Sequence, residues 1–147
     1  MKKIVSLILL CIFALMLSGC GNEKIYHWEF EKESSRVTEI QIIVTPNNER
    51  FDINTYKILK EIDLSYADEM YDDVGSITMT RQHGGMRSLG GLSILIKFDN
   101  GEYDVISNIG ASHYKYDKNS QMVRYPAWLT ADVDEFLGVI SKYLALD

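Results

Sequence analysis

The pattern of apolar residues predicts a single α+β domain: an antiparallel sheet of about five or six strands with two helices packed on one face. Three observations carry that expectation. Period-two alternation recurs in short runs between residues 25 and 123, the mark of half-buried strands. An Asn100-Gly101 pair stands between two of those runs, as it does in tight hairpins. The chain then closes on an apolar stripe at spacings of three and four, the period of a helix. Without regular strand–helix–strand alternation, these elements suit an antiparallel sheet with its helices on one side.

In order, residues 25–32 alternate, with Tyr26, Trp28 and Phe30 on one face and His27, Glu29 and Glu31 on the other. A turn at Glu33-Ser34-Ser35 leads to a strand over 36–45, with Ile40, Ile42 and Val44 facing one way. The short connection predicts that these two runs form an antiparallel hairpin. Pro46-Asn47-Asn48 supplies a turn. Ile58, Leu59 and Ile62 then fit a helix over about 55–64, and Ile77 with Met79 a third strand over 74–82.

Residues 92–109 read as a hairpin about Asn100-Gly101, in a turn where both positions want positive φ. That turn pairs Phe98 with Tyr103 and Ile96 with Val105, and sets Lys97 against Asp104 as a cross-strand ion pair. A short edge strand is expected over 113–116. The last helix carries its stripe on Leu129, Val133, Phe136, Leu137, Ile140 and Leu144, with Thr130 or Asp132 as cap and Asp132 to Glu135 at box-like spacing.

The first twenty residues are of another kind. Lys2 and Lys3 precede an apolar run over 4–17 broken only by Ser6, and Leu17-Ser18-Gly19-Cys20 closes it. The run is short of the roughly 20 apolar residues that span a bilayer, and its layout is that of an export signal. The closing tetrapeptide resembles the lipobox of bacterial lipoproteins. The resemblance implies removal of residues 1–19, a diacylglycerol (often with further acylation, such as palmitate) on Cys20, and a lipid anchor on the extracytoplasmic side of the membrane. Residues 20–24 would then be a lipidated end with a short tether, and residues 25–147 the domain. Each buried methylene contributes about 0.8 kcal/mol, so two or three chains on one cysteine hold durably without a spanning helix.

Composition narrows the partners. Without Lys2 and Lys3 the chain has 13 basic and 21 acidic residues, a net charge of −8. Such a balance disfavours nucleic acid and anionic lipid, which basic patches bind. Of two cysteines, Cys11 lies in the discarded segment and Cys20 carries lipid, leaving no thiol for a disulfide, a nucleophile or a metal. The Ile, Lys and Asn content leans towards a Gram-positive source.

No motif for catalysis, a cofactor or a metal stands out. His27, His83 and His113 fall in no zinc-binding spacing and read as solvated or singly hydrogen-bonded. Glu61, Asp63, Asp68, Glu69, Asp72 and Asp73 lack the glycine and alternation of a calcium loop and read as a solvated acidic surface. The loop from His83 to Gly91, with four glycines and Arg87, runs from strand to strand, so no helix end cradles a phosphate there.

The candidate ligand surface is Tyr114, Tyr116, Arg124, Tyr125 and Trp128, residue types that concentrate in interface hot spots and stack on sugars. The expected function is therefore a non-enzymatic, lipid-anchored domain that binds a protein, a peptide or a cell-wall ligand. An envelope-acting enzyme using scattered carboxylates and an immunity or inhibitor lipoprotein are the alternatives.

Overall fold

The computed structural model describes residues 24–45, 53–81, 91–108, 110–114, 122–124 and 129–146. The α+β expectation holds. Six strands form one antiparallel sheet: β1 (Val37–Thr45), β2 (Lys57–Ile62), β4 (Gly91–Phe98), β5 (Tyr103–Ser107), β6 (Gly110–Tyr114) and β7 (Met122–Arg124), in the order β2-β1-β4-β5-β6-β7. β3 (Met79–Arg81) and β8 (Leu129–Ala131) pair as a separate small ribbon. The helices are α1 (Ala67–Ser76) and α2 (Val133–Leu144).

Both helices pack on one face of the sheet. α1 contributes Ala67, Met70 and Val74, spaced three and four apart, and α2 contributes Phe136, Ile140 and Tyr143. They close over Ile40, Ile42, Ile94, Ile96, Phe98 and Ile106 in the main core. The opposite face carries a smaller cluster of Ile43, Leu95, Tyr103, Val105 and Tyr114, with Ile53 and Tyr56 against it. Strands β4 and β5 are thus buried on both faces.

Local chemistry sets the helix ends. Asp132 accepts from the amides of Asp134 and Glu135, each at 3.0 Å, and so satisfies two of the free N–H groups of α2. Glu135 does not complete a capping box; its carboxylate accepts from the Thr78 amide at 2.6 Å and ties α2 to the approach to β3. Asp68 and Glu69 sit in the first turn of α1, where the helix dipole favours acids.

Several sequence expectations need correction. Residues 57–62 form an edge strand and not a helix. Only Ile62 of that strand is buried, and Ile58 and Leu59 are exposed, because pairing with β1 decides what a short apolar run with no clear period cannot. The helix comes later, at α1, which takes Val74 from the expected third strand; Ile77 and Met79 are buried as expected. The N-terminal alternation is real, with Trp28 buried and His27, Glu29 and Glu31 exposed. It makes no hairpin with β1 and touches a strand through one bridge, Tyr26 to Met79. β6 is interior, between β5 and β7, rather than an edge. On α2, Val133, Leu137 and Leu144 lie outside the buried stripe.

The β4–β5 hairpin forms about the expected residues in a different register. Three residues, Asp99, Asn100 and Gly101, lie between Phe98 and Glu102, with Gly101 at φ 81°. The Gly101 amide donates to Phe98 O at 3.0 Å, and the Phe98 amide to Glu102 O at 2.9 Å. This is a three-residue loop with its glycine in the left-handed region. The shift pairs Ile96 with Asp104 and Lys97 with Tyr103. Lys97 bonds Glu39 at 2.7 Å instead, and Asp104 turns to the other face.

Candidate functional site

Asp104 is the one acid in an otherwise apolar or small strand, Tyr103–Ser107, and both faces of that strand are covered. A carboxylate in such a place needs a partner. The β5–β6 register supplies it, since Asp104 lies opposite His113. His113 Nδ1 sits 2.5 Å from Asp104 Oδ1, and its Nε2 sits 3.1 Å from Glu102 Oε2. The side chains of Asp104 and His113 are 1% and 2% exposed.

Both imidazole nitrogens therefore face carboxylate oxygens. A neutral ring has one donor, so one nitrogen would present a lone pair to an anion; the cation satisfies both contacts. The charge balance agrees. Hydrogen bonding to Asp104 holds the His113 pKa above its ordinary value against the opposing effect of burial, helped by the charges of Asp104, Glu102 and Glu31. Burial pushes Asp104 up, while the bond and charge of His113 pull the other way. Burial would also raise Glu102, but hydrogen bonds from Lys32 and Asn100, with the charges of Lys32 and His113, bring it down to about 2.

A segment outside the sheet covers this cluster. Residues 26–32 form a strap with Trp28 in the main core and Tyr26 and Phe30 packed against it. Tyr26 exchanges two backbone bonds with Met79, both at 2.9 Å, and His27 Nδ1 donates to Ile77 O at 3.1 Å. Trp28 is buried, and its indole N–H lowers the Asp104 pKa as a nearby donor does. Neither Trp28 Nε1 nor Asp104 Oδ2 reaches a hydrogen bond of ordinary geometry. Phe30 stacks on Tyr71 at 3.8 Å between centroids and meets Trp28 edge-on at 6.3 Å. Lys32 Nζ bonds Glu102 Oε2 at 2.8 Å. The Tyr71 hydroxyl, buried and without a hydrogen-bond partner, has its pKa raised by burial and by the charge of Asp104.

Both ring nitrogens of His113 are engaged, so neither is free to take a proton from a substrate. As arranged, the cluster fastens the strap to the sheet. Among the described residues no group of His, Cys, Asp and Glu could hold a metal ion.

Of the expected ligand surface, Tyr114 alone has a described side chain, and it is not exposed. Tyr114 is buried and stacks on Tyr103, centroids 5.0 Å apart, in the smaller core. The backbone of Arg124 pairs with His113 in β7, and its side chain lies outside the described residues. Cys20, Tyr116, Tyr125, Trp128 and the loop over 82–90 also lie outside them. His113 is not a solvated histidine; the acidic stretch is exposed as expected, Asp73 being half-buried, and several of its acids also carry partners. Lys142 bonds Glu69 at 2.7 Å and Asp73 at 2.5 Å, the Tyr143 hydroxyl donates to Asp73 at 2.7 Å, Asp68 accepts from Ser34, and Asp63 accepts from the Ser65 amide.

Exposed apolar side chains lie elsewhere. Lys60 on the edge strand β2 donates to the carbonyls of Leu144 and Leu146, and Tyr66 meets Tyr143 edge-on at 6.3 Å. Ile58, Leu59, Leu64 and Leu144 are exposed, Ile58 on the face of β2 that pairs with Ile43 of the smaller cluster. Compared with known proteins, the chain matches no family model, no curated protein and no solved structure.

Proposed function

We propose that this chain is a bacterial lipoprotein, held on the extracytoplasmic side of the membrane by acyl chains on Cys20, with a non-enzymatic domain that engages a protein, peptide or wall component. The observation that carries the reading is Leu17-Ser18-Gly19-Cys20 directly behind a Lys-Lys end and a short apolar run. Two features of the fold support it. Among the described residues no helix is long and apolar enough to cross a membrane, so attachment through Cys20 would not compete with a span. Tyr26, which bridges Met79 of the β3–β8 ribbon, comes six residues after Cys20, which allows about 20 Å of extended chain between lipid and domain.

Binding is favoured over catalysis by what the histidine does. Among the described residues, the buried His113 is committed to Asp104 and Glu102, whereas Ile58, Leu59, Leu64 and Leu144 are presented to solvent. The test begins with the anchor. Cys20→Ser abolishes labelling by an acyl probe and leaves the precursor uncut. An unmodified Cys20 in the intact mass of the membrane form overturns the reading. Extraction of the lipidated protein with detergent then separates the functional classes: a stoichiometric partner supports a binding module, and turnover of wall fragments overturns it in favour of an enzyme.

A further inference from the structure

We infer that Asp104 Oδ2, the Trp28 indole N–H and the Tyr71 hydroxyl together form a binding site for one internal water molecule, which joins the strap, α1 and the sheet.

The site starts from the register of β5. Asp104 lies opposite Ile96 of β4, and Ile96 and Ile106 belong to the main core, so Asp104 stands on the face that the helices and the strap cover. Trp28 of the strap is part of that core, and Tyr71 of α1 and Phe30 of the strap pack against it. Phe30 fixes the other two rings: it stacks on Tyr71 with centroids 3.8 Å apart and meets Trp28 edge-on at 6.3 Å. Three polar atoms are thereby enclosed in one apolar neighbourhood. Each is buried, and none has a hydrogen bond of ordinary geometry. Their electrostatics agree, since the indole N–H lowers the Asp104 pKa and the charge of Asp104 raises that of Tyr71.

Polar groups so placed give up water and need a replacement for it. Asp104 needs one most. Its Oδ1 is bonded to His113, and a buried ion pair is favourable only when its remaining lone pairs are satisfied as well.

Donor and acceptor arithmetic selects the ligand. The indole N–H only donates, the ionised Asp104 only accepts, and a tyrosine hydroxyl does either. A bridging group must therefore accept from Trp28 and donate to Asp104. Ammonium and metal cations have no lone pair for the N–H. Chloride has no proton for the carboxylate and is repelled by it. Water meets every demand: it accepts from Trp28 and from the Tyr71 hydroxyl, and donates to Asp104 Oδ2. Three contacts are what a buried water commonly holds.

Such a water keys three elements to one another. Among the described residues the strap has a single backbone bridge, Tyr26 to Met79, and Trp28 is its buried side chain. Through the water, the seat of Trp28 depends on a carboxylate of β5 and a hydroxyl of α1 as well as on apolar packing.

The test uses the full chain. A crystal structure at a resolution that orders waters should show one peak within about 2.7–3.2 Å of Trp28 Nε1, Asp104 Oδ2 and the Tyr71 hydroxyl oxygen. In solution, with Trp128→Phe to assign the indole signal, Trp28 Hε1 should give a dipolar cross-peak to water. Tyr71→Phe keeps the ring on Phe30 and removes one contact. Exchange of the bound water with bulk should then quicken by about three- to tenfold, the loss of one hydrogen bond. Should Tyr71→Phe fail to fold, the contacts in the wild-type crystal decide the same question. A Trp28 indole bonded directly to Asp104 Oδ2, with no peak beside them and no cross-peak to water, overturns the site. So does a peak out of hydrogen-bond reach of the Tyr71 hydroxyl, or water exchange that Tyr71→Phe leaves unchanged.

Discussion

Asp104 Oδ1 lies 2.5 Å from His113 Nδ1 across the β5–β6 ladder, and neither side chain sees solvent. The pair joins the two strands on the face where the strap lands. Its energetics are asymmetric, because the ions have given up water and depend on each other. Deleting one strands the other.

His113→Leu should therefore destabilise the domain by about 3–5 kcal/mol, as the removal of one partner of a buried pair does. Asp104→Leu combined with His113→Leu should recover much of that loss, since no charge is left unpaired. Urea unfolding of the two variants and the wild type checks the difference. A single-variant cost within error of zero would mean that the pair is not formed in solution.

Glu102 governs the acid limb. Its pKa is held at about 2, so it contributes stability above the ordinary glutamate range that is lost as pH falls through about 2. His113 and Lys32 are both protonated throughout that fall, so the loss belongs to the carboxylate. Carbon-detected NMR titration should put the Glu102 midpoint near 2, and Glu102→Gln should flatten stability across the same window. A midpoint at the ordinary glutamate value would dissolve the link to Lys32.

How much of this was legible follows from which faces are buried. The fold class and the last helix were readable because their periods are expressed over many residues. The register of β4–β5 was not. Both faces of those strands are covered, so a one-residue slip exchanges one apolar face for another and the pattern cannot reject it. That slip hid the Asp104–His113 pair and suggested a Lys97–Asp104 bridge in its place. A sequence signal did exist: an acid inside the run Tyr103-Asp104-Val105-Ile106 requires a buried partner. In Lys57–Ile62 the obstacle was length, because six residues cannot separate one helical turn from a bulged edge strand. Tyr114 was misplaced because alternation gives its face but not which face is outside.

The cap of α2 offers an independent check on the core. Asp132 holds two amides of the first turn, and its own amide donates to Thr78 O at 2.8 Å. Asp132→Ala should cost about 1 kcal/mol through the lost cap, whereas Asp132→Asn should cost less because the amide oxygen still accepts. Thermal melts of the two variants give the comparison, and equal losses would argue that the side chain does not cap.

The hairpin turn can be tested against the rival register directly. In a two-residue turn, Asn100 and Gly101 would both take positive φ, and Asn100→Gly would relieve strain. In the observed three-residue turn, Gly101 lies at φ 81° and the Asn100 side chain accepts from the Glu102 amide at 3.1 Å. Asn100→Gly should then destabilise the domain through the lost hydrogen bond and the added backbone freedom of glycine. Gly101→Val places a β-branched residue in the left-handed region and should cost about 1–3 kcal/mol. The two registers also differ in which α-protons approach across the strands: the observed one brings Ile96 opposite Asp104, the rival brings it opposite Val105. Cross-strand nuclear Overhauser contacts, read with the two urea midpoints, decide between them. An Asn100→Gly variant more stable than the wild type, with Ile96 seen against Val105, would restore the two-residue turn and set Lys97 opposite Asp104.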